Sequence, residues 1–127
     1  MNEGMRASAD ELLPKMIAPG TIDEQPVVAA HVLSMMRGTS PAGAAAALRG
    51  RAERQDYTSL LSEIAVPTLI IVGSEDEFTP VSDAEFMRER IPNSWMVVIE
   101  KTGHMPNLER PDEFNRVVEE FLKTLVQ

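Results

Sequence analysis

The spacing of apolar residues changes character near residue 65, and the chain divides there. Before it, short apolar clusters recur at helical spacing between Pro and Gly breaks. Ser8-Ala-Asp-Glu11 reads as a capping box ahead of Leu12, Leu13, Met16 and Ile17, with Pro14 shortening or kinking that helix. A second helix is expected from Asp23 or Glu24 to Gly38, with Pro26 in its first turn and Val28, Val32, Met35 and Met36 on one face. Ser40 as N-cap and Pro41 at the next position open a third helix through Ala44, Ala47 and Leu48. Thr58 to Ile64 forms a short fourth piece that presents Leu60, Leu61 and Ile64.

Beyond residue 65 the periodicity switches. Val66-Pro67-Thr68-Leu69-Ile70-Ile71-Val72-Gly73 is a continuous, β-branched run, apolar on both faces, which fits a strand covered on two sides in a parallel sheet. A helix follows from about Val81 to Ile91, Pro92-Asn93 break it, and Trp95 to Ile99 form a second strand. The last helix opens at Pro111 and places Phe114, Val117, Val118, Phe121, Leu122 and Leu125 at helical spacing. The fold class is α/β: a helical segment, 1–64, precedes a βαβα unit, 65–127, whose two strands run parallel. Two parallel strands do not make a stable sheet alone, so an edge of strand 66–72 wants a neighbour.

Composition narrows the function classes. The chain has 127 residues, 43% apolar and 25% charged, which fits one globular domain. Surface scaling gives a compact monomer of this mass roughly 6,700 Å² of exposed area, enough burial to hold a core without a staple. Twelve basic against twenty acidic residues give a net charge of −8, which argues against nucleic-acid and anionic-membrane partners. With no cysteine, disulfides, thiolate metal sites and a cysteine nucleophile are excluded, and two histidines make a His-rich metal site improbable. The acidic N-terminus does not resemble a signal peptide and no apolar run reaches membrane-spanning length, so a cytoplasmic location is expected.

In an open α/β sheet, functional groups gather at the carboxyl ends of strands. Asp76 follows the first strand within Gly73-Ser74-Glu75-Asp76-Glu77-Phe78-Thr79-Pro80, and His104 follows the second within Lys101-Thr102-Gly103-His104-Met105-Pro106. Paired strand ends lie about 5 Å apart, so these loops can bring a carboxylate to an imidazole. An acid there fixes one His tautomer and leaves the other nitrogen as general base. Spacing leaves Glu75 and Glu77 open as rival acids. His31 sits mid-helix among Ala and Val, where a packing or surface role is expected.

From Val66 onward the chain resembles the C-terminal part of the α/β-hydrolase superfamily. The resemblance rests on V-P-T-L-I-I-V-G-S-E-D-E-F-T-P, I-P-N-S-W-M-V-V-I and G-H-M-P-N-L-E-R-P-D-E-F-N-R-V-V-E-E-F-L. It implies that Asp76 is the acid and His104 the base of a catalytic triad. Residues 1–64 resemble, more loosely, the end of the cap inserted before the family's seventh strand. The family's nucleophile sits on a G-x-S-x-G elbow, which this sequence lacks. Gly38-Thr39-Ser40-Pro41-Ala42-Gly43 is one residue too long, and Pro41 removes the amide an oxyanion needs. There is no H-G stretch for the second oxyanion donor, and nothing corresponds to the family's first six strands.

Three readings follow. The chain is the acid-and-base half of a hydrolase acting on small esters, lactones or related molecules, inactive alone and completed by a nucleophile-bearing half. Alternatively it is a non-catalytic domain that self-associates through the edge of strand 66–72. Least expected is a self-sufficient enzyme using Ser74 or a water activated by His104. The missing nucleophile hides the reaction class, since Ser suggests ester, lactone or C–C hydrolysis and Asp suggests dehalogenation or epoxide opening. No dissociable cofactor is implied.

Overall fold

The computed structural model describes residues 4–126. In chain order the elements are α1 (Arg6–Met16), α2 (Pro19–Glu24), α3 (Pro26–Arg37), α4 (Pro41–Glu53), a 3₁₀ turn (Thr58–Glu63), β1 (Thr68–Gly73), α5 (Val81–Arg90), β2 (Ser94–Ile99), α6 (Pro106–Glu109) and α7 (Pro111–Leu125). The chain is a partial α/β fold: helices first, then a βαβ unit and two closing helices.

β1 and β2 pair in parallel, from Thr68 opposite Ser94 to Gly73 opposite Ile99. Alternation along the strands gives each face its own helix. Ile70 and Val72, with the half-buried Met96 and Val98, pack on Ala84, Val81 and Ile91 of the α5 side. On the opposite face α7 lies against β2, where Trp95 meets Phe121 edge-on at 5.7 Å between ring centroids. α7 starts well: Pro111 needs no amide partner in the first turn, and Asp112 and Glu113 complement the helix dipole.

A second core joins Ile17, Ala29 and Val32 with Leu13, Met16, Met36, Met105 and Leu108. Met105 and Leu108 come from the segment after β2, so this core clamps the helices α1 and α3 against the loop that follows the second strand. Leu61 and Ile64 pack in turn on the strand core.

Several boundaries differ from the sequence expectation. α1 begins at Arg6 with Met5 as its cap residue and no side-chain cap bond, so Ser8 lies inside the helix rather than capping it. The register of the apolar face, anchored by buried Ala9, pulls the helix start back past Ser8. Pro14 sits within α1, close to its end. The expected second helix starts only at Pro26, which stands in its first turn as expected. A separate short helix, α2, ends just before it at Glu24, and Gln25 between them takes a φ of −129° because Pro26 disfavours helical backbone in the residue before it. Met35 is exposed rather than packed beside Val32. Ser40 caps α4 as expected, its hydroxyl accepting from the Gly43 amide at 3.3 Å. α4 itself buries no residue.

The whole chain exposes 8704 Å². That is about 2,000 Å² more than surface scaling allows a compact monomer of 14.0 kDa. Val66, Tyr57, Leu60, Phe86, Met87 and Trp95 are all exposed, so much apolar surface stands uncovered.

Ile17 is fully buried at the centre of the helix-loop core. Ile17→Ala should therefore lower unfolding stability by about 2–5 kcal/mol, measured by urea denaturation. A loss below about 1 kcal/mol would mean that this core is not packed as described.

Candidate active site at the paired strand ends

Asp76 and His104 come together because the two strands end level with each other. The loop after β1 is stitched to the loop after β2 by backbone bonds: the Ser74 amide donates to the Ile99 carbonyl at 3.1 Å, and the Glu75 amide to the Thr102 carbonyl at 2.8 Å. The Ser74 hydroxyl accepts from the Lys101 amide at 2.8 Å, at a residue held in the left-handed region with φ 60°. Gly73 makes this close approach feasible, since a Cβ there would overlap the carbonyl oxygens of Thr102 and Gly103. Gly103 is also close-packed on its other side, where a Cβ would sit 2.9 Å from the Ala18 nitrogen.

The Asp76 carboxylate is fixed before it meets the histidine. Oδ1 accepts from the Phe78 and Thr79 amides, both at 3.0 Å, and Oδ2 accepts from the Thr79 hydroxyl at 2.9 Å. This is an Asp-initiated turn, a local structure that Asp forms readily. His104 Nδ1 then lies 3.2 Å from Oδ1 and 3.0 Å from Oδ2. Phe78 packs edge-on against the imidazole at 5.3 Å. The acid's side chain is only 5% exposed, whereas the histidine's is 39% exposed. The acid is sealed in the loop and the imidazole reaches the surface. With Nδ1 committed to Asp76, Nε2 is the nitrogen left to exchange a proton with a ligand.

Burial pushes the Asp76 carboxyl up, but the bonds from Thr79 and His104, with the attraction of the imidazolium, outweigh it and hold the pKa below the usual carboxylate value. His104 and Asp76 line an open cleft of about 750 Å³, together with Thr79, Tyr57, Phe86 and Met87.

Of the rival acids, Glu75 and Glu77 are exposed in the same loop, and neither lies within ion-pair distance of His104. Ser74 is occupied in bracing the Lys101 turn. His31 is exposed on α3, and Ser40 caps α4. Among the described residues no three His, Asp or Glu side chains gather as a metal would require.

Sequence reasoning missed Glu109. It closes the four-residue helix α6 and is 1% exposed. Pro106 at the first position of α6 was the one local signal for that helix.

A family model described as the alpha/beta hydrolase fold matches residues 10–111. The chain belongs to that family. It is 31% identical over 121 residues to 3-oxoadipate enol-lactonase 2 of Acinetobacter baylyi, a match covering 95% of this chain and 45% of the lactonase. A thermophilic esterase from Thermogutta terrifontis superposes with a TM-score of 0.92 at 36% identity, over 97% of this chain and 45% of the esterase. The enol-lactonase from Burkholderia xenovorans LB400 gives 0.87 at 28% identity, over 96% and 46% respectively. The chain thus spans a little under half the length of these three hydrolases, and its architecture is a part of their fold.

Two measurements test this geometry. Gly73→Ala should push the His104 loop off the end of β1 and cost several kcal/mol, roughly 2–4 by analogy with other core overpacking, read by denaturation. An unchanged midpoint would contradict the close approach. The second concerns pH. Asp76 has a lower pKa folded than unfolded, so it stabilises the fold above roughly pH 4 and loses that contribution as pH falls through the depressed value. Melting curves from pH 7 to pH 3 should therefore fall more steeply for the parent chain than for Asp76→Asn. Parallel curves would remove the carboxylate from this role.

Proposed function

We propose that this chain carries the acid and base of an α/β-hydrolase acting on ester or lactone substrates, with His104 as general base and Asp76 as the residue that orients it. The observation that supports this reading is the Nδ1 contact at 3.0 Å to a carboxylate already locked by three other donors. In the reaction, a nucleophile hydroxyl passes its proton to Nε2 as its oxygen attacks the substrate carbonyl. Asp76 stabilises the imidazolium, which then protonates the leaving group. No residue of this sequence stands on a G-x-S-x-G elbow, so the nucleophile and oxyanion donors come from elsewhere. The esterase and lactonases among its relatives favour ester and lactone chemistry over the dehalogenation that an Asp nucleophile would bring.

The exposed surface supports the need for a partner. An excess of about 2,000 Å² over a compact monomer exceeds the roughly 800 Å² that one side of a standard interface covers. Among the described residues β1 pairs only with β2, which leaves its other edge open. That edge and the neighbouring cleft are where a complementary nucleophile-bearing half docks in this reading. The same open edge supports a second reading, in which two copies pair through β1 and the chain has no catalytic role.

The purified chain should give no turnover of an activated ester by itself. Mixed with the nucleophile-bearing half of a related esterase it should turn the ester over, and His104→Ala should cut that rate by roughly 10³-fold or more. A His104-dependent rate from the chain alone would contradict the division of the machinery. A stable dimer in light scattering that refuses the complementary half would favour the second reading.

A further inference from the structure

The fully buried carboxylate of Glu109 takes no part in the chemistry just described, yet its bonds converge on His104. Oε2 accepts from the Gly103 amide at 2.9 Å and from the Met105 amide at 3.2 Å, the residues on either side of the histidine. Oε1 accepts from the Ala18 amide at 2.6 Å and the Thr21 hydroxyl at 2.8 Å, across the turn between α1 and α2. The Glu109 carbonyl takes a further bond from Gln25 Nε2 at 2.9 Å. The His104 amide itself donates to the Met16 carbonyl at 2.9 Å. All three consecutive amides of the histidine loop are therefore spoken for, two of them by one side chain.

Burying a carboxylate costs several kcal/mol unless its oxygens are well satisfied. Here both oxygens accept, two donors each, from four donors. An apolar residue in this place would leave the Ala18, Gly103 and Met105 amides and the Thr21 hydroxyl without their acceptor. What an apolar residue cannot do is hold two amides at a fixed separation on one side and a distant turn on the other.

We propose that Glu109 is a positioning residue for His104: it bolts the histidine loop to the α1–α2 turn, so that the helical segment sets where the imidazole meets Asp76. This rests on the acid–base reading of His104. Gly103 fits the same design, because the absence of a side chain lets the loop lie directly on Ile17 and Ala18. Glu109→Gln is the discriminating variant. Its single carbonyl oxygen serves one pair of donors, and its amide then presents N–H groups to the other pair.

The test follows the Nδ1 proton of His104 by NMR in the whole chain, with far-UV circular dichroism as a check on folding. Glu109→Gln should accelerate exchange of that proton by about tenfold or more, as expected when one or two supporting hydrogen bonds are lost. A merely structural role would lower the melting temperature and leave the exchange of that proton unmoved, and this result overturns the proposal. If Glu109→Gln fails to fold, the parent chain decides. Hydrogen exchange of the Gly103 and Met105 amides as slow as that of the β1–β2 ladder supports the bolt, and exchange at exposed-loop rates overturns it. In the reconstituted enzyme, a folded Glu109→Gln variant should lower kcat with little change in KM. Absence of turnover with native Glu109 in place would count against the hydrolase reading alone, since the exchange result is read without it.

Discussion

The constraint on which the rest depends is the close approach of the two strand ends. Gly73 stands opposite Ile99 with no side chain, so the loop after the second strand can lie across the end of the first. That contact carries two backbone bonds between loops and delivers His104 to a carboxylate already fixed in its own turn. The candidate site sits on this one junction. The helices of the first segment matter to it because the turn at Ile17 and Ala18 forms its floor.

The site is built asymmetrically, and the asymmetry is chemically sensible. The acid is sealed and accepts from amides and a hydroxyl, which keeps it charged and immobile. The imidazole is held at Nδ1 by Asp76 and meets the Phe78 ring edge-on, and His104 lines the open cleft. Such an arrangement is suited to the proton transfer proposed for it. It matches a fold of which this chain forms less than half, with a sheet of two strands where its relatives span twice the length.

Much of this was legible in the sequence because it is local. Strand character comes from β-branched runs closed by Gly, α7 from its apolar stripe, and the meeting of Asp76 with His104 from their places just past each strand. The choice of Asp76 over Glu75 and Glu77 was not readable from spacing; the turn to Phe78 and Thr79 makes it, since the shorter Asp side chain reaches those amides. Pro26 stands in the first turn of α3 as its sequence position suggests, but it also disfavours helical backbone at Gln25, so the helix starts after Asp23 and Glu24, which belong to the separate α2. Glu109 stayed invisible for a different reason. Two of its partners lie 88 and 91 residues earlier, and no local pattern distinguishes a buried acid from a solvated one.

The central claim, that Asp76 holds His104 as an oriented base, is tested most directly by long-range ¹H–¹⁵N NMR of the imidazole. The neutral ring should carry its proton on Nδ1 in the parent chain and lose that preference in Asp76→Asn. A ring protonated on Nε2 in both, as free histidine prefers, would contradict it.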